Sequence, residues 1–175
     1  MTEGAPAIEV QYALAGDSLP SAEVIRRWAE HALQGGAEAA ELVVRIVDEA
    51  EMTALNYRYR GKSGVTNVLS FPYEPLPGVT SGLLGDVVIC APVVAAEAIR
   101  QGKSPEAHWA HLVMHGVLHL QGYGHHDDSE ARRMETLEVR LLAALGFADP
   151  YAGGGPQGHE TLPPRLGNRP CLTQN

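Results

Sequence analysis

The segment PEAHWAHLVMHGVLHLQ, from Pro105 to about Gln121, constrains this chain more than any other. At helical spacing it is apolar nearly all round, through Trp109, Leu112, Val113, Met114, Val117, Leu118 and Leu120. A helix with no polar stripe cannot lie on a surface and has to be enclosed by other elements. Yet the same segment carries histidines at 108, 111, 115 and 119. Residues four apart sit on one helix face about one turn from each other, so His111, His115 and His119 form a column. Buried imidazoles each need a partner. One metal ion can satisfy adjacent members of such a column together, as in helical zinc motifs with two histidines.

His115 and His119 are the better pair, because Gly122-Tyr123-Gly124 follows them directly. A glycine just past a helix permits the left-handed turn that reverses the chain. That turn can bring His125 back beside the two helical histidines. Three imidazoles leave a fourth position open, the layout of a catalytic rather than a closed structural zinc site. His111 is the next candidate ligand, or a hydrogen-bond partner to the ligands. His31 and His159 stand alone and read as ordinary histidines. In zincin peptidases the residue after the first helical histidine is a glutamate that serves as general base. Here it is Gly116, so a peptidase of that type would lack its base.

Around this helix the chain reads as alternating strands and helices. Strands are expected in AIEVQYAL (7–14), AELVVRIVD, TNVLSFPY and LLGDVVICA. A helix is expected after Ser18 or Ser21, stopping near Gly35, and another from Asp48 to Gly61. Two further helices flank the histidine helix, APVVAAEAIRQG before it and SEARRMETLEVRLLAALG after it, the latter with a stripe of Met134, Leu137, Leu141 and Leu145. The expected fold is α+β, a mixed four-stranded sheet packed with helices, with the metal site on a buried helix and the following turn. Residues 1–147 make one domain. Residues 148–175, rich in Gly and Pro without apolar periodicity, read as a disordered tail.

Charge and cysteine usage narrow the setting. The net charge is −8, so any nucleic acid must be held by a local patch, because the overall field repels phosphate. The two cysteines, Cys90 and Cys171, offer neither a zinc ribbon nor a disulfide framework. The first residues show no basic-then-apolar leader, and the longest apolar run, Val87 to Ala96, is too short to cross a bilayer. A cytoplasmic location follows as the expectation.

HGVLHLQGYGHHDD (115–128) closely resembles the signature of the YbeY endoribonuclease family of bacterial rRNA maturation factors, H-G-x-L-H-L-x-G-Y-D-H. YRGKSGVTNVLSFPYE (59–74) resembles the family segment Y-R-x-x-x-x-x-T-[DN]-V-L-S-F-P, and LGDVVICAPVVAAEA (84–98) is similar to its G-D-I-x-I strand and following helix. Together the blocks span about residues 48–146. The resemblance implies a single metal, usually taken as zinc (Zn2+), held by His115, His119 and His125, with Arg60 in the cleft near it. It implies cleavage of single-stranded RNA, roles in maturing the 3′ end of 16S rRNA and in ribosome quality control, and a fold distantly like that of zincins. Partners implied are rRNA and the small ribosomal subunit with its proteins, with no DNA and no membrane. One departure stands out: Gly124 occupies the place where the family carries aspartate before the third histidine. That help is then missing, or is borrowed from Asp127 or Asp128.

Arg60 suits such a role on chemical grounds, since a guanidinium grips phosphate oxygens in two places and stabilises developing charge. Arg58 and Lys62 read as a solvated turn. The expected mechanism has the metal polarise a scissile phosphate or activate water while Arg60 binds the phosphate. Two rivals remain open. One is another metal hydrolase, a peptidase included, which would need a carboxylate such as Glu135 or Asp86 beside the metal. The other is a non-catalytic ribosome-assembly factor with a structural zinc.

Overall fold

The computed structural model describes residues 4–34, 39–79, 81–124 and 126–152. Four strands form one sheet: β1 (Ala7–Tyr12), β2 (Glu41–Val47), β3 (Val68–Pro72) and β4 (Leu83–Cys90). Their spatial order is β1-β2-β4-β3. The first three in that order run parallel, and β3 lies antiparallel on the β4 edge, with Ser70 opposite Val87. Five helices accompany the sheet among the described residues: α1 (Ala22–His31), α2 (Glu49–Arg60), α3 (Ala91–Gln101), α4 (Pro105–Leu120) and α5 (Asp128–Ala144). The architecture is thus the α+β fold with a mixed four-stranded sheet that the sequence pattern implies.

Local chemistry sets the helix ends. Ser21, Asp48, Ser104 and Asp127 cap α1, α2, α4 and α5, each side chain accepting a backbone N–H three residues on. Pro105 follows its cap at the first helical position, where a missing N–H costs nothing. α2 stops at Gly61, which takes the left-handed conformation (φ 64°) that any side chain would resist.

Alternation along β4 divides the interior. Val87 and Ile89 face α1 and α4 in the larger core, with Ile25, Trp28, Val44 and Ile46. Val88 and Cys90 face the other way and pack with Met52 of α2 and Leu69. Each such fully buried aliphatic side chain stabilises the fold by roughly 1.5–3 kcal/mol. α4 therefore lies on the sheet with α1 beside it, and α3 and α5 also pack against it. Enclosure of α4 is nearly complete: all but His115 of residues 108–120 are buried.

Two details differ from the sequence pattern. The buried stripe of α5 is Met134, Glu138 and Leu142, not the line through Leu137, Leu141 and Leu145, which are only half-buried. And the chain remains packed beyond 147: Pro150 is buried and Tyr151 bonds to the interior. The remainder of the expected tail, from 153 on, lies outside the described residues.

Candidate metal centre

α4 brings its histidine column together as its spacing requires. The ring centroids of His115 and His119 lie 4.5 Å apart, and those of His111 and His115 lie 6.0 Å apart. The Nε2 atoms of His115 and His119 approach to 3.0 Å. What the other nitrogen of each ring does decides how that approach is read. His119 Nδ1 lies 2.9 Å from the carbonyl oxygen of Tyr123, which can only accept, so Nδ1 carries the proton. His115 Nδ1 lies 2.9 Å from Oε1 of Glu138. Burial alone would push the Glu138 carboxyl up, but the charge of His115 and the bonds from His111 and His115 hold it well below the usual range. An ionised carboxylate accepts, so His115 Nδ1 donates. In the neutral rings both Nε2 atoms then present lone pairs to the same point. Two lone pairs 3.0 Å apart repel unless a proton or a metal ion joins them; a proton makes an ordinary N–H···N bond, and the same donor pair fits a metal held by Nε2 atoms.

The turn that fixes His119 is built by Gly122. Its φ of 95° suits glycine, and it allows the Tyr123 N–H to bond back to Leu118 while the Tyr123 carbonyl receives His119. The reversal expected after α4 is therefore present. His125, the third ligand implied by the resemblance, lies outside the described residues.

A further residue of the centre is Glu138. It is fully buried, and beyond His115 it accepts from His111 Nε2 (2.6 Å) and from the Tyr151 hydroxyl (2.6 Å). Burial pushes the His111 pKa down, so its ring is neutral and acts as a hydrogen-bond donor here. Burial and the neighbouring Glu138 charge push the Tyr151 phenol far up, so it too stays protonated and donates. The ligating atoms of His111, His115 and Glu138 all lie within 4.8 Å of one another, so this buried group could itself hold a metal ion. In the geometry observed, however, its carboxylate already accepts from three N–H and O–H donors. A signal was available in the sequence: Glu138 sits four residues from both Met134 and Leu142, an acid on the apolar stripe of α5.

Gly116 has a packing reason. A Cβ there would come within 2.5 Å of Val87 Cγ1 on β4, and its carbonyl accepts the Ser70 hydroxyl at 3.2 Å. The position that carries the base in H-E-x-x-H motifs faces the sheet in this chain. Of the two carboxylates considered for that role, Asp86 lies on the strand face opposite Val87, toward α2. Glu135 lines a groove with Asp149 and Tyr151. Near Gly124, Asp127 is engaged as the α5 cap at 2.8 Å. The nearest carboxylate there is Glu130, with Oε2 3.9 Å from where a Cβ of residue 124 would stand.

Arg60 is the last residue of α2 and is half-buried, with Nη2 shielded from solvent. Its helix end is anchored: Tyr59 packs edge-on against Phe71 of β3 at 5.3 Å, and the buried Asn56 donates to the Gly64 carbonyl at 3.0 Å. Arg58 is exposed and its guanidinium sits over the Tyr59 ring. His31, expected to be ordinary, bonds to the Leu141 carbonyl and ties α1 to α5.

An α+β domain with paired imidazoles on an enclosed helix, backed by a buried carboxylate, has side chains that could hold a metal ion. Residues 15–146 match the model of the family described as endoribonuclease YbeY. A protein named endoribonuclease YbeY from Xanthomonas axonopodis pv. citri is 55% identical over 159 residues, covering 87% of this chain and 99% of that one. Another of that name, from Xanthomonas oryzae pv. oryzae, is 56% identical over 150 residues, covering 83% and 93%. The solution structure of a Thermotoga maritima protein shares the fold with a TM-score of 0.52 at 22% identity, covering 82% of this chain and 98% of that one. The chain belongs to the endoribonuclease YbeY family.

Proposed function

We propose that this chain is a metal-dependent endoribonuclease that cuts single-stranded RNA. The observation that carries the reading is the Nε2 pair of His115 and His119, each ring locked by an acceptor on its far nitrogen. These two atoms, with His125, are the proposed ligands, and Zn2+ is the proposed ion. Bound there, it supplies Lewis acidity toward a phosphoryl oxygen. Glu138 orients His115 and stabilises positive charge on its ring. Tyr123 holds the tautomer of His119. Arg60, on a helix end anchored to β3, binds the phosphate and stabilises its negative charge. His111 and Tyr151 keep the Glu138 carboxylate in place. The reading extends to maturation of the 3′ end of 16S rRNA and to ribosome quality control in the cytoplasm. Family membership supports this extension, and the net charge of −8 fits an enzyme brought to the small subunit by protein partners. Gly116, turned toward Val87, speaks against the peptidase alternative.

Cleavage of a single-stranded rRNA fragment, with metal content determined on the same samples, tests the reading. Arg60→Ala is expected to keep one metal per chain and lose cleavage, and His119→Ala to lose both. Glu138→Gln separates the two donor sets: at saturating metal it still holds one ion, with affinity lowered about 10- to 100-fold, if the ligands are Nε2 atoms, and it holds none if the buried carboxylate is a ligand. A wild type that holds metal yet cleaves no faster than either variant would leave a structural centre.

A further inference from the structure

A basic groove on this acidic chain opens beside Tyr123, next to the histidine pair. α5 turns its buried stripe toward α4, and its solvent face holds Ser129, Arg132, Arg133, Thr136 and Arg140. At 3.6 residues per turn these five positions fall within an arc of about 100°. The carboxylates of the helix, Asp128, Glu130, Glu135 and Glu138, all fall outside that arc. No ion pair among the described residues engages Arg132, Arg133 or Arg140, and all three are exposed. With Tyr123 they line a cavity of about 410 Å³, within the range of pockets that hold small organic groups. Tyr123 is also the residue whose carbonyl fixes His119. The groove and the histidine pair therefore share a residue.

We propose that this groove is a docking site for the sugar-phosphate backbone of single-stranded RNA, with Arg132, Arg133 and Arg140 as its phosphate contacts. The proposal rests on the ribonuclease reading above and gives it a substrate path. Charge complementarity selects the occupant: three guanidiniums with two hydroxyls, and no carboxylate among the residues lining this groove, match a run of phosphates. A ring such as Tyr123 at the groove's end offers a face on which a base can stack. Arg132, Thr136 and Arg140 also border a second groove beside α5, but there Glu135 and Asp149 add carboxylates and the complementarity to phosphate is lost. A chain of net charge −8 needs a local patch of this kind to hold RNA.

The test measures binding apart from cleavage. A labelled 2′-O-methyl oligouridylate is titrated with the metal-loaded protein by fluorescence anisotropy at several salt concentrations, its integrity checked on a gel. The triple variant R132Q/R133Q/R140Q is expected to bind on the order of 10- to 100-fold more weakly at low salt, and its log-log salt slope to fall by about 2, at roughly 0.7 per phosphate contact on single strands. R132K/R133K/R140K is expected to recover most of the affinity, and Arg27→Gln on α1 to match wild type. Circular dichroism and melting temperature verify that the variants fold. Unchanged affinity and slope in the triple glutamine variant, or an equal loss per charge from Arg27→Gln, would overturn the groove. Failure of the ribonuclease reading looks different: wild type binds the oligonucleotide but does not cut the matching RNA.

Discussion

At the scale of single residues, Gly116 and Glu138 answer the same question from two sides. A glutamate cannot serve at 116 because the position points at Val87, 2.5 Å from where a Cβ would begin. Gly116→Ala is therefore expected to lower stability by about 1–3 kcal/mol in urea unfolding, since both helix and strand must shift. The carboxylate that contacts the histidine column comes from α5, where Glu138 accepts from His115 Nδ1. Glu138→Gln keeps the volume and removes the charge that orients His115. A loss of about 10- to 100-fold in zinc affinity is expected by competition with a chelator, and unchanged affinity would remove Glu138 from the centre. The histidines were legible because spacing four along a helix places side chains on one face whatever surrounds it. Glu138 was overlooked because an acid in a helix ordinarily faces water, and only the packing of α5 against α4 shows that this one does not.

At the scale of elements, a second buried polar knot joins α3, α4 and the start of β3. Glu97 accepts from His108 at 3.1 Å and from Asn67 at 3.0 Å. Burial pushes its carboxyl up, but the bonds from His108 and Asn67 and the His108 charge outweigh burial and hold it below the usual range. A carboxyl more acidic in the folded chain stabilises the fold above its unfolded pKa of about 4.3 and loses that contribution as pH falls through the folded value. Glu97→Gln is expected to cost about 1–2 kcal/mol at neutral pH. In melts run from pH 7 downward, the gap between the variant and wild type should begin to narrow below the unfolded pKa of about 4.3 and close as the pH falls through the lower folded value. A constant gap would mean that the charge of Glu97 contributes nothing. The starts of α1 and α2 were readable, because Ser21 and Asp48 announce them through their own side-chain chemistry.

Across the whole molecule, the candidate centre draws on α4, the turn after it, α5 and the segment at Tyr151, so an ion bound there would couple these parts. Removing the ion with a chelator is expected to lower the melting temperature of wild type by several degrees. Free ion at 100 times its dissociation constant stabilises a fold by about 2.7 kcal/mol. His119→Ala should show no such shift. A chelator that lowers both melts equally would be acting elsewhere. Tyr151 lies just past the expected domain end, yet its hydroxyl closes the network around Glu138. Nothing in a Gly- and Pro-rich composition signals such a contact, since one phenol finding one buried carboxylate depends on where the chain returns.

The sequence by itself determined the elements, the enclosure of α4 and the histidine column, since these follow from periodicity, caps and helical geometry acting within about ten residues. It also placed the chain beside its family through three ordered motifs. Tertiary structure alone decided which nitrogen of each ring is free, which carboxylate backs His115, why residue 116 must be glycine, and that three arginines of α5 share a groove with Tyr123. Each of these depends on contacts between segments distant in the chain, and hydrogen-bond and packing geometry at that range is not written in local spacing.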